Sequence, residues 1–282
     1  MNRLHLQQLV REALNEDIGY GDWTSEVLIP ASHISQARLI AKEEGVVAGL
    51  EVAREVFAQW DPQLTFNPVV RDGAPVAPGE VLVQLEGSTR SILTAERVAL
   101  NLLQRMSGIA TVTQRVVRSL AGLPCRVLDT RKTTPGLRML EKWAVQIGGG
   151  TNHRFGLSHG VMIKDNHIVA AGGLREAVEC VRQRVGHMVQ VEVEADTLEQ
   201  VREAVELDID ALLLDNMDLS TLREAVQLAQ GKAWTEASGG ITPENARAVA
   251  ETGVDAISLG WLTHSAPALD ISLDLINKEG SS

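Results

Sequence analysis

The sequence has little cysteine and no long apolar segment. Cys125 and Cys180 are the two cysteines among 282 residues, too few and too isolated for a disulfide framework or a cysteine-based zinc site. No run approaches the roughly 18 apolar residues that a membrane-spanning helix requires. The first 17 residues form an amphipathic helix pattern without the apolar core or cleavage site of a signal peptide. We therefore expect a cytoplasmic protein with no membrane partner.

Positive charge is also scarce over most of the chain. The formal net charge is −11, which argues against nucleic acid as the main partner because nonspecific binding to phosphate backbones needs a basic surface. Apolar residues make up 44% of the chain, enough to bury a large core. The length allows one large domain, or a barrel with a smaller partner domain.

The segment 126–166 departs from this acidic background. It contains three acidic residues, Asp129, Glu141 and Asp165. Against them stand seven basic residues: Arg126, Arg131, Lys132, Arg138, Lys142, Arg154 and Lys164. A run of like charges is usually a solvated surface. Here the cations alternate with Gly and Thr turns and with apolar runs, so the pattern favours an anion-binding pocket.

The first 110 residues predict a compact α+β layer. Strand patterns at 36–41 and 80–85 flank a helical pattern at 50–60. Two further helices are predicted at 94–106 and 108–120, separated by a break at Ser107-Gly108. Arg97 lies in the first of these, where a salt-bridged surface role is the ordinary interpretation.

From residue 126 onward, short apolar strands alternate with helices. Helical patterns lie between the strands, at 137–147, 174–185, 198–207, 219–230 and 243–252. The predicted strands are 126–130, 160–165, 189–195, 211–216, 233–238 and 256–260. Apolar strands connected through helices indicate a buried parallel sheet. We therefore predict an α/β fold, an irregular βα barrel of about six or seven strands, following an amino-terminal α+β open-faced sandwich domain.

The predicted strands end in polar residues that would meet at one rim of the barrel. Ser238-Gly239-Gly240 precedes a helix, an arrangement that suits a phosphate. Glu194 and Asp215 end consecutive strands, either as caps and partners of nearby cations or as ligands of Mg²⁺ beside a polyanion. Glu192 shares the strand face of Glu194, and the sequence leaves open whether it joins the site or pairs with a Lys or Arg.

Long motifs resemble the quinolinate phosphoribosyltransferase family. They are DTRKTTPGLR (129–138), GGGTNHRFGLSHGVMIKDNH (148–167), VEVEAD (191–196), LLLDN (212–216), EASGGI (236–241) and ISLG (257–260). The resemblance extends to EDIGYGDWTS near the start and TAERVALNLLQRMSGIAT in the middle. Two positions depart from the family pattern: His159 stands where Asp is common, and Trp143 where Tyr is frequent.

The resemblance implies an enzyme that converts quinolinate and 5-phosphoribosyl 1-diphosphate into nicotinate mononucleotide, diphosphate and CO2, with Mg²⁺. By motif, Arg131, His153, Arg154 and Lys164 would bind the quinolinate carboxylates, and Lys132 with Lys164 would face the diphosphate. Glu194 and Asp215 would hold Mg²⁺ and the ribose hydroxyls. The 5-phosphate would lie against Ser238, Gly239, Gly240 and Gly260, and Thr133 would join the substrate-binding set. Lys132, Lys164, Glu194 and Asp215 are the expected catalytic residues.

The resemblance also implies a homodimer in which Arg97 reaches the neighbouring subunit's quinolinate site, with a higher oligomer left open. The expected domains are 1–110, 111–268 and a segment 269–282 that packs back on the first domain. Three alternatives stay open: an aldolase with Lys164 as Schiff-base nucleophile, a relative adapted to molybdenum-compound metabolism, and a noncatalytic sensor of a phosphorylated metabolite.

Overall fold

The structure is a computed structural model that describes residues 1–276. By packing, the chain divides into two compact units. The first comprises 1–112, 134–149 and the described residues from Ser265, and the second comprises 113–133 and 150–264. The predicted domain boundaries at 110 and 268 stay a prediction, and part of the predicted segment 269–282 lies outside the described residues.

The first unit contains an antiparallel sheet with helices. The sheet has the order β12-β1-β5-β3, formed by Ile271–Ile276, Ile34–Ala41, Val81–Ser88 and Thr65–Pro68. A two-stranded sheet pairs β2 (Gly45–Val46) with β4 (Pro75–Val76). The shorter helices of this unit are α1 (Arg3–Ile18), α2 (Trp23–Leu28), α3 (Leu50–Trp60) and α5 (Arg138–Ile147). This mixed architecture confirms the predicted amino-terminal α+β domain.

The predicted break at Ser107-Gly108 is wrong, because one helix, α4, runs from Thr89 to Ser119. Both residues serve close packing instead. Ser107 Oγ accepts a hydrogen bond from Ala48 N and donates one to Ala48 O. A Cβ at Gly108 would lie 1.9 Å from the carbonyl oxygen of Pro267. Glycine here allows a backbone to approach the helix, which accounts for a helix-weakening residue in the interior.

The second unit contains six parallel strands in the order β6-β11-β10-β9-β8-β7. They are β6 (Arg126–Leu128), β7 (Val161–Ile163), β8 (Val191–Ala195), β9 (Ala211–Asp215), β10 (Trp234–Ser238) and β11 (Ala256–Ser258). The helices of this unit, besides the end of α4, are α6 (Asp165–Ala171), α7 (Leu174–Arg182), α8 (Leu198–Ala204), α9 (Leu219–Ala229), α10 (Ala246–Ala250) and α11 (Trp261–His264). All six predicted strands are present, and the fold is the predicted βα barrel.

The barrel core explains why the polar strand ends converge. The strands bury apolar side chains in the core, as with Leu212, Leu213 and Leu214 of β9. Thr151 forms an isolated parallel bridge with Leu128 of β6, and the chain then leads through 152–154 toward β7. The side chains at the carboxyl ends of these strands therefore share one rim. Within residues 1–276, no helix combines the length and apolarity needed to cross a membrane.

Candidate active site

A cavity of about 270 Å³ opens at the carboxyl ends of the barrel strands. Cationic, acidic and hydroxyl side chains meet there, as the sequence pattern predicts. The lining residues are Thr130, Arg131, Lys132, His153, Arg154, Met162, Lys164, Glu194, Leu213, Asp215, Glu236, Ser238 and Ser258. The structure thus brings together eight of the predicted site residues, from Arg131 to Ser238, in one pocket.

Lys164 and Glu194 form an ion pair across this cavity, between Nζ and Oε2. Lys164 follows β7 and begins α6, and its backbone N–H donates to His167 Nδ1 over 3.0 Å. Glu194 lies in β8, which pairs directly with β7. The Lys164 side chain is 44% exposed and that of Glu194 is 14% exposed. The ammonium group therefore stays partly open to solvent, which suits contact with an anion.

Asp215 is held at the end of β9 by a constrained turn. The next residue, Asn216, has a φ of 54°, a left-handed conformation that Asn tolerates better than most residues. Its Nδ2 donates to Asp215 Oδ2 over 2.7 Å, and its backbone N–H donates to Ser238 O over 2.9 Å. Gly239 also has a positive φ, and a Cβ there would lie 2.1 Å from Asn216 Oδ1. The glycine allows the ends of β9 and β10 to approach closely.

The segment 152–154 is anchored from the barrel wall by Asp129, a fully buried residue after β6. Its two carboxylate oxygens accept hydrogen bonds from His153 N over 2.8 Å and Asn152 Nδ2 over 2.5 Å. The position of His153 and Arg154 at the cavity thus depends on a buried carboxylate that lies outside the predicted site. Sequence reasoning missed this role, although Asp129 opens the family motif.

Arg154 presents a partly desolvated cation to the cavity. Burial lowers its pKa, the neighbouring charge of Arg131 lowers it further, and Glu192 opposes both. Its Nη1 donates to Gly160 O over 2.9 Å. Because two guanidinium groups repel each other at this rim, an anion between them would relieve an unfavourable arrangement.

His153 lies deeper, against two buried glutamates. Its Nε2 is 3.2 Å from Glu192 Oε2 and 3.4 Å from Glu236 Oε2. Burial lowers the pKa of His153, but hydrogen bonds and charge from both glutamates raise it to about 10 on balance. However, Arg154 N donates to Nδ1 over 2.7 Å, and an imidazolium would place an N–H against this donor. The geometry therefore favours the neutral ring, with its proton on Nε2.

The two glutamates were not among the predicted site residues. Glu192, which the sequence left open, pairs with His153, and burial raises the pKa of its carboxyl group. Glu236 is 1% exposed and lies in β10. The motif EASGGI contains it, but only Ser238 and the two glycines drew attention, because an inward-facing position cannot be assigned to a given depth from sequence.

A second cavity, of about 440 Å³, lies at the amino ends of the same strands. Arg126, Gln190 and Trp234 line it at or next to the starts of three strands. His153, Arg154 and Glu236 line both cavities. Of these two cavities, Glu192 lines only the one at the amino ends. The cluster of His153, Glu192 and Glu236 therefore lies between the two ends of the barrel interior.

Five predicted site residues do not line the active-site cavity. Arg97 is exposed on α4 and belongs to the first unit. Gly260 lies close to the lining residue Lys132, since a Cβ on Gly260 would be 2.7 Å from Lys132 Cδ. The remaining three are Thr133 and Gly239, each next to a lining residue, and Gly240, two residues after the lining residue Ser238. Their predicted substrate roles stay predictions.

A parallel βα barrel with basic side chains and two acids at the carboxyl ends of its strands defines an enzyme class that binds anionic substrates there. Two family models cover nearly the whole chain. The model for the quinolinate phosphoribosyl transferase amino-terminal domain matches residues 22–107, and that for its carboxy-terminal domain matches residues 109–274. The chain belongs to the quinolinate phosphoribosyltransferase family, as the motifs predicted.

Relatives agree with this assignment. The chain is 48% identical over 275 residues to a probable nicotinate-nucleotide pyrophosphorylase [carboxylating] of Bacillus subtilis, covering 98% of this chain and 95% of that protein. It is 46% identical to a mitochondrial quinolinate phosphoribosyltransferase [decarboxylating] of Nicotiana glauca, covering 96% and 82%. The crystal structure of NadC from Streptococcus pyogenes has a TM-score of 0.94 at 39% identity, covering 98% and 99%.

Proposed function

We propose that this protein transfers the phosphoribosyl group of 5-phosphoribosyl 1-diphosphate to quinolinate, with decarboxylation, to give nicotinate mononucleotide, diphosphate and CO2 in NAD biosynthesis. The observation that carries the proposal is the convergence of Arg131, Lys132, Arg154 and Lys164 on one cavity of a chain that is acidic overall. Both substrates are multiply charged anions, so each would supply the countercharge that this cavity lacks.

The cationic side chains of the cavity suit two complementary tasks. Arg131 and Arg154 can grip a carboxylate with planar, forked N–H groups, and quinolinate carries two carboxylates. Lys132 and Lys164 suit the departing diphosphate, whose negative charge grows as the glycosidic bond breaks. Fixing the pyridine nitrogen close to the ribose carbon lowers the entropic part of the barrier. Glu194 and Asp215 lie near the positive charge that develops on the ribose.

A magnesium ion fits the donor set at the ends of β8 and β9. Glu194 and Asp215 line the same cavity, and Mg²⁺ is typically held by one or two carboxylates together with phosphate oxygens and water. Both carboxylates have other partners here, Lys164 and Asn216, so substrate oxygens would complete the coordination. Bound Mg²⁺ would neutralise charge on the leaving diphosphate.

The proposal includes a homodimer in which Arg97 completes a neighbouring quinolinate site. Its support is the exposure of Arg97 on α4 together with the family membership. Exposed large apolar side chains in the same unit, including Tyr20 and Trp23, are compatible with an interface, because monomers seldom expose several such groups together. Cytoplasmic location remains part of the proposal.

The competing interpretations fit the site less well. A Schiff-base lysine is activated by desolvation or by a neighbouring cation, whereas Lys164 is 44% exposed and paired with Glu194. A noncatalytic sensor gives no reason for two acids facing the cations. The NHR and DTRKTTPGLR motifs favour quinolinate as acceptor over the acceptor of a molybdenum-related enzyme.

The direct test is an assay for nicotinate mononucleotide. Purified protein is incubated with 5-phosphoribosyl 1-diphosphate, Mg²⁺ and quinolinate, and nicotinate replaces quinolinate in the control. We expect product from quinolinate, with CO2 released, and little from nicotinate, which lacks the second carboxylate. Turnover of nicotinate at an equal rate, or no turnover of either, would contradict the proposal.

A further inference from the structure

Glu236 is a buried acid that the proposed chemistry has not yet used. It is 1% exposed, and the contact of its Oε2 with His153 Nε2 at 3.4 Å is too poorly aligned for a hydrogen bond. It nevertheless lines the cavity that is built to accept a dicarboxylate. Burying a carboxylate without a well-aligned donor carries a desolvation penalty, and a negative charge in this position would repel the substrate.

The geometry of His153 indicates how this conflict is avoided. Its Nδ1 accepts from Arg154 N over 2.7 Å, so one N–H, on Nε2, faces both glutamates. That N–H lies closer to Glu192, at 3.2 Å, than to Glu236, at 3.4 Å. The ring thus satisfies Glu192 first, and Glu236 Oε2 is left with the longer, poorly aligned contact.

The same geometry argues against a metal ion in the cluster. Ligand atoms of His153, Glu192 and Glu236 lie within 4.8 Å of one another, a spacing that also suits a divalent cation. A neutral imidazole that binds a metal through Nε2 carries its proton on Nδ1 and donates it to an acceptor. Here Nδ1 faces a backbone N–H, so the cluster is arranged to hold protons.

Glu236 also has a position from which its proton can be replaced. It lines the amino-end cavity as well as the active-site cavity. A proton that leaves toward the substrate can therefore return from solvent through the opposite end of the barrel, without crossing the bound anions.

We propose that Glu236 is the acid that protonates carbon 2 of the pyridine ring as CO2 is lost. In this step, which rests on the proposed function, the bond from ring carbon 2 to its carboxylate breaks and the electron pair stays on carbon 2, next to the ribosylated, cationic nitrogen. CO2 departs, the O–H bond of Glu236 breaks, and its proton forms the new C–H bond. The Glu236 carboxylate then takes a proton from solvent.

The test separates phosphoribosyl transfer from decarboxylation in one turnover of Glu236→Gln. Quinolinate labelled in the carboxylate at carbon 2 is mixed with excess enzyme, 5-phosphoribosyl 1-diphosphate and Mg²⁺, and diphosphate and CO2 are measured by rapid quenching. We expect diphosphate at a rate near that of the parent, with CO2 release slowed at least tenfold, since a general acid typically contributes about 10²–10⁴-fold. A nucleotide that retains both carboxylates should accumulate.

Glu192→Gln is the matched control, because Glu192 contacts the same imidazole but does not line the active-site cavity. We expect diphosphate and CO2 to stay coupled in this variant, whatever its rate. Equal slowing of both products in Glu236→Gln would overturn the proposal and leave Glu236 a purely structural residue. No diphosphate from the parent enzyme would instead contradict the proposed function.

Thermal unfolding establishes whether Glu236→Gln folds. If it does not, Glu236→Asp, which retains an acid but withdraws it by one methylene group, replaces it in the same experiment. Delayed CO2 release relative to diphosphate in that variant supports the proposal. Release of both products together, as in the parent, overturns it.

Discussion

Replacing Arg154 with alanine should weaken quinolinate binding more than any effect on folding would explain. The side chain is part-buried, lines the active-site cavity, and uses Nη1 for Gly160 O at 2.9 Å, so its other N–H groups can reach a ligand. A hydrogen bond to a charged group contributes about 1.5–3 kcal/mol. The dissociation constant for quinolinate should therefore rise about 10- to 150-fold.

Isothermal titration calorimetry with quinolinate measures this change, and two variants make it specific. Arg154→Lys keeps the charge but loses the forked donor geometry, so its affinity should fall between those of the parent and Arg154→Ala. Arg126→Ala removes an arginine that lines only the amino-end cavity of the two, and it should bind as the parent does. Parent-like affinity in Arg154→Ala, or an equal loss in Arg126→Ala, would refute the assignment of Arg154 to the substrate.

Three further predictions concern metal, assembly and pH. Glu194→Ala combined with Asp215→Ala should abolish the dependence of residual turnover on Mg²⁺ concentration; an unchanged Mg²⁺ titration would move the metal elsewhere. Arg97→Ala and Lys132→Ala subunits, each inactive alone, should regain partial activity when mixed, and no recovery would indicate a self-contained site. Burial raises the pKa of Asp210, but hydrogen bonds from the Val191 N–H and Arg182, with the Arg182 charge, lower it by more, so the pKa lies below its ordinary value of 3.8. The stability that Asp210 contributes is thus present above pH 3.8 and lost as pH falls through its folded pKa. Asp210→Asn should therefore lower the melting temperature at pH 7, and the melting temperatures of variant and parent should converge in acid. An equal difference in melting temperature at both pH values would contradict this.

The barrel was predictable from sequence because its signal is local. The β9 run Ala211–Asp215 is apolar until its last residue. The single helix α4 was not predictable in this way. Ser107 and Gly108 weaken a helix by intrinsic propensity, and only the distant partners Ala48 and Pro267 show that they stabilise packing instead.

The active-site rim was predictable for a related reason. Residues that end parallel strands must share an edge, so Lys164, Glu194 and Asp215 could be grouped without coordinates. The contribution of Asp129 could not, because its hydrogen bonds to His153 N and Asn152 Nδ2 depend on how the segment 152–154 passes over the end of β6.

Sequence periodicity does not determine how deep a side chain lies inside the barrel. Here that depth separates the acids at the rim from those in the interior. Glu192 and Glu194 share one face of β8 and are about 7 Å apart along the strand, yet Glu194 pairs with exposed Lys164 and Glu192 pairs with buried His153. At the rim, Glu194 is 14% exposed and is paired with the Lys164 ammonium group. One layer deeper, Glu236 is 1% exposed and has only a poorly aligned contact with His153 Nε2, so the same residue type is placed to serve as the proposed acid instead of as a metal ligand.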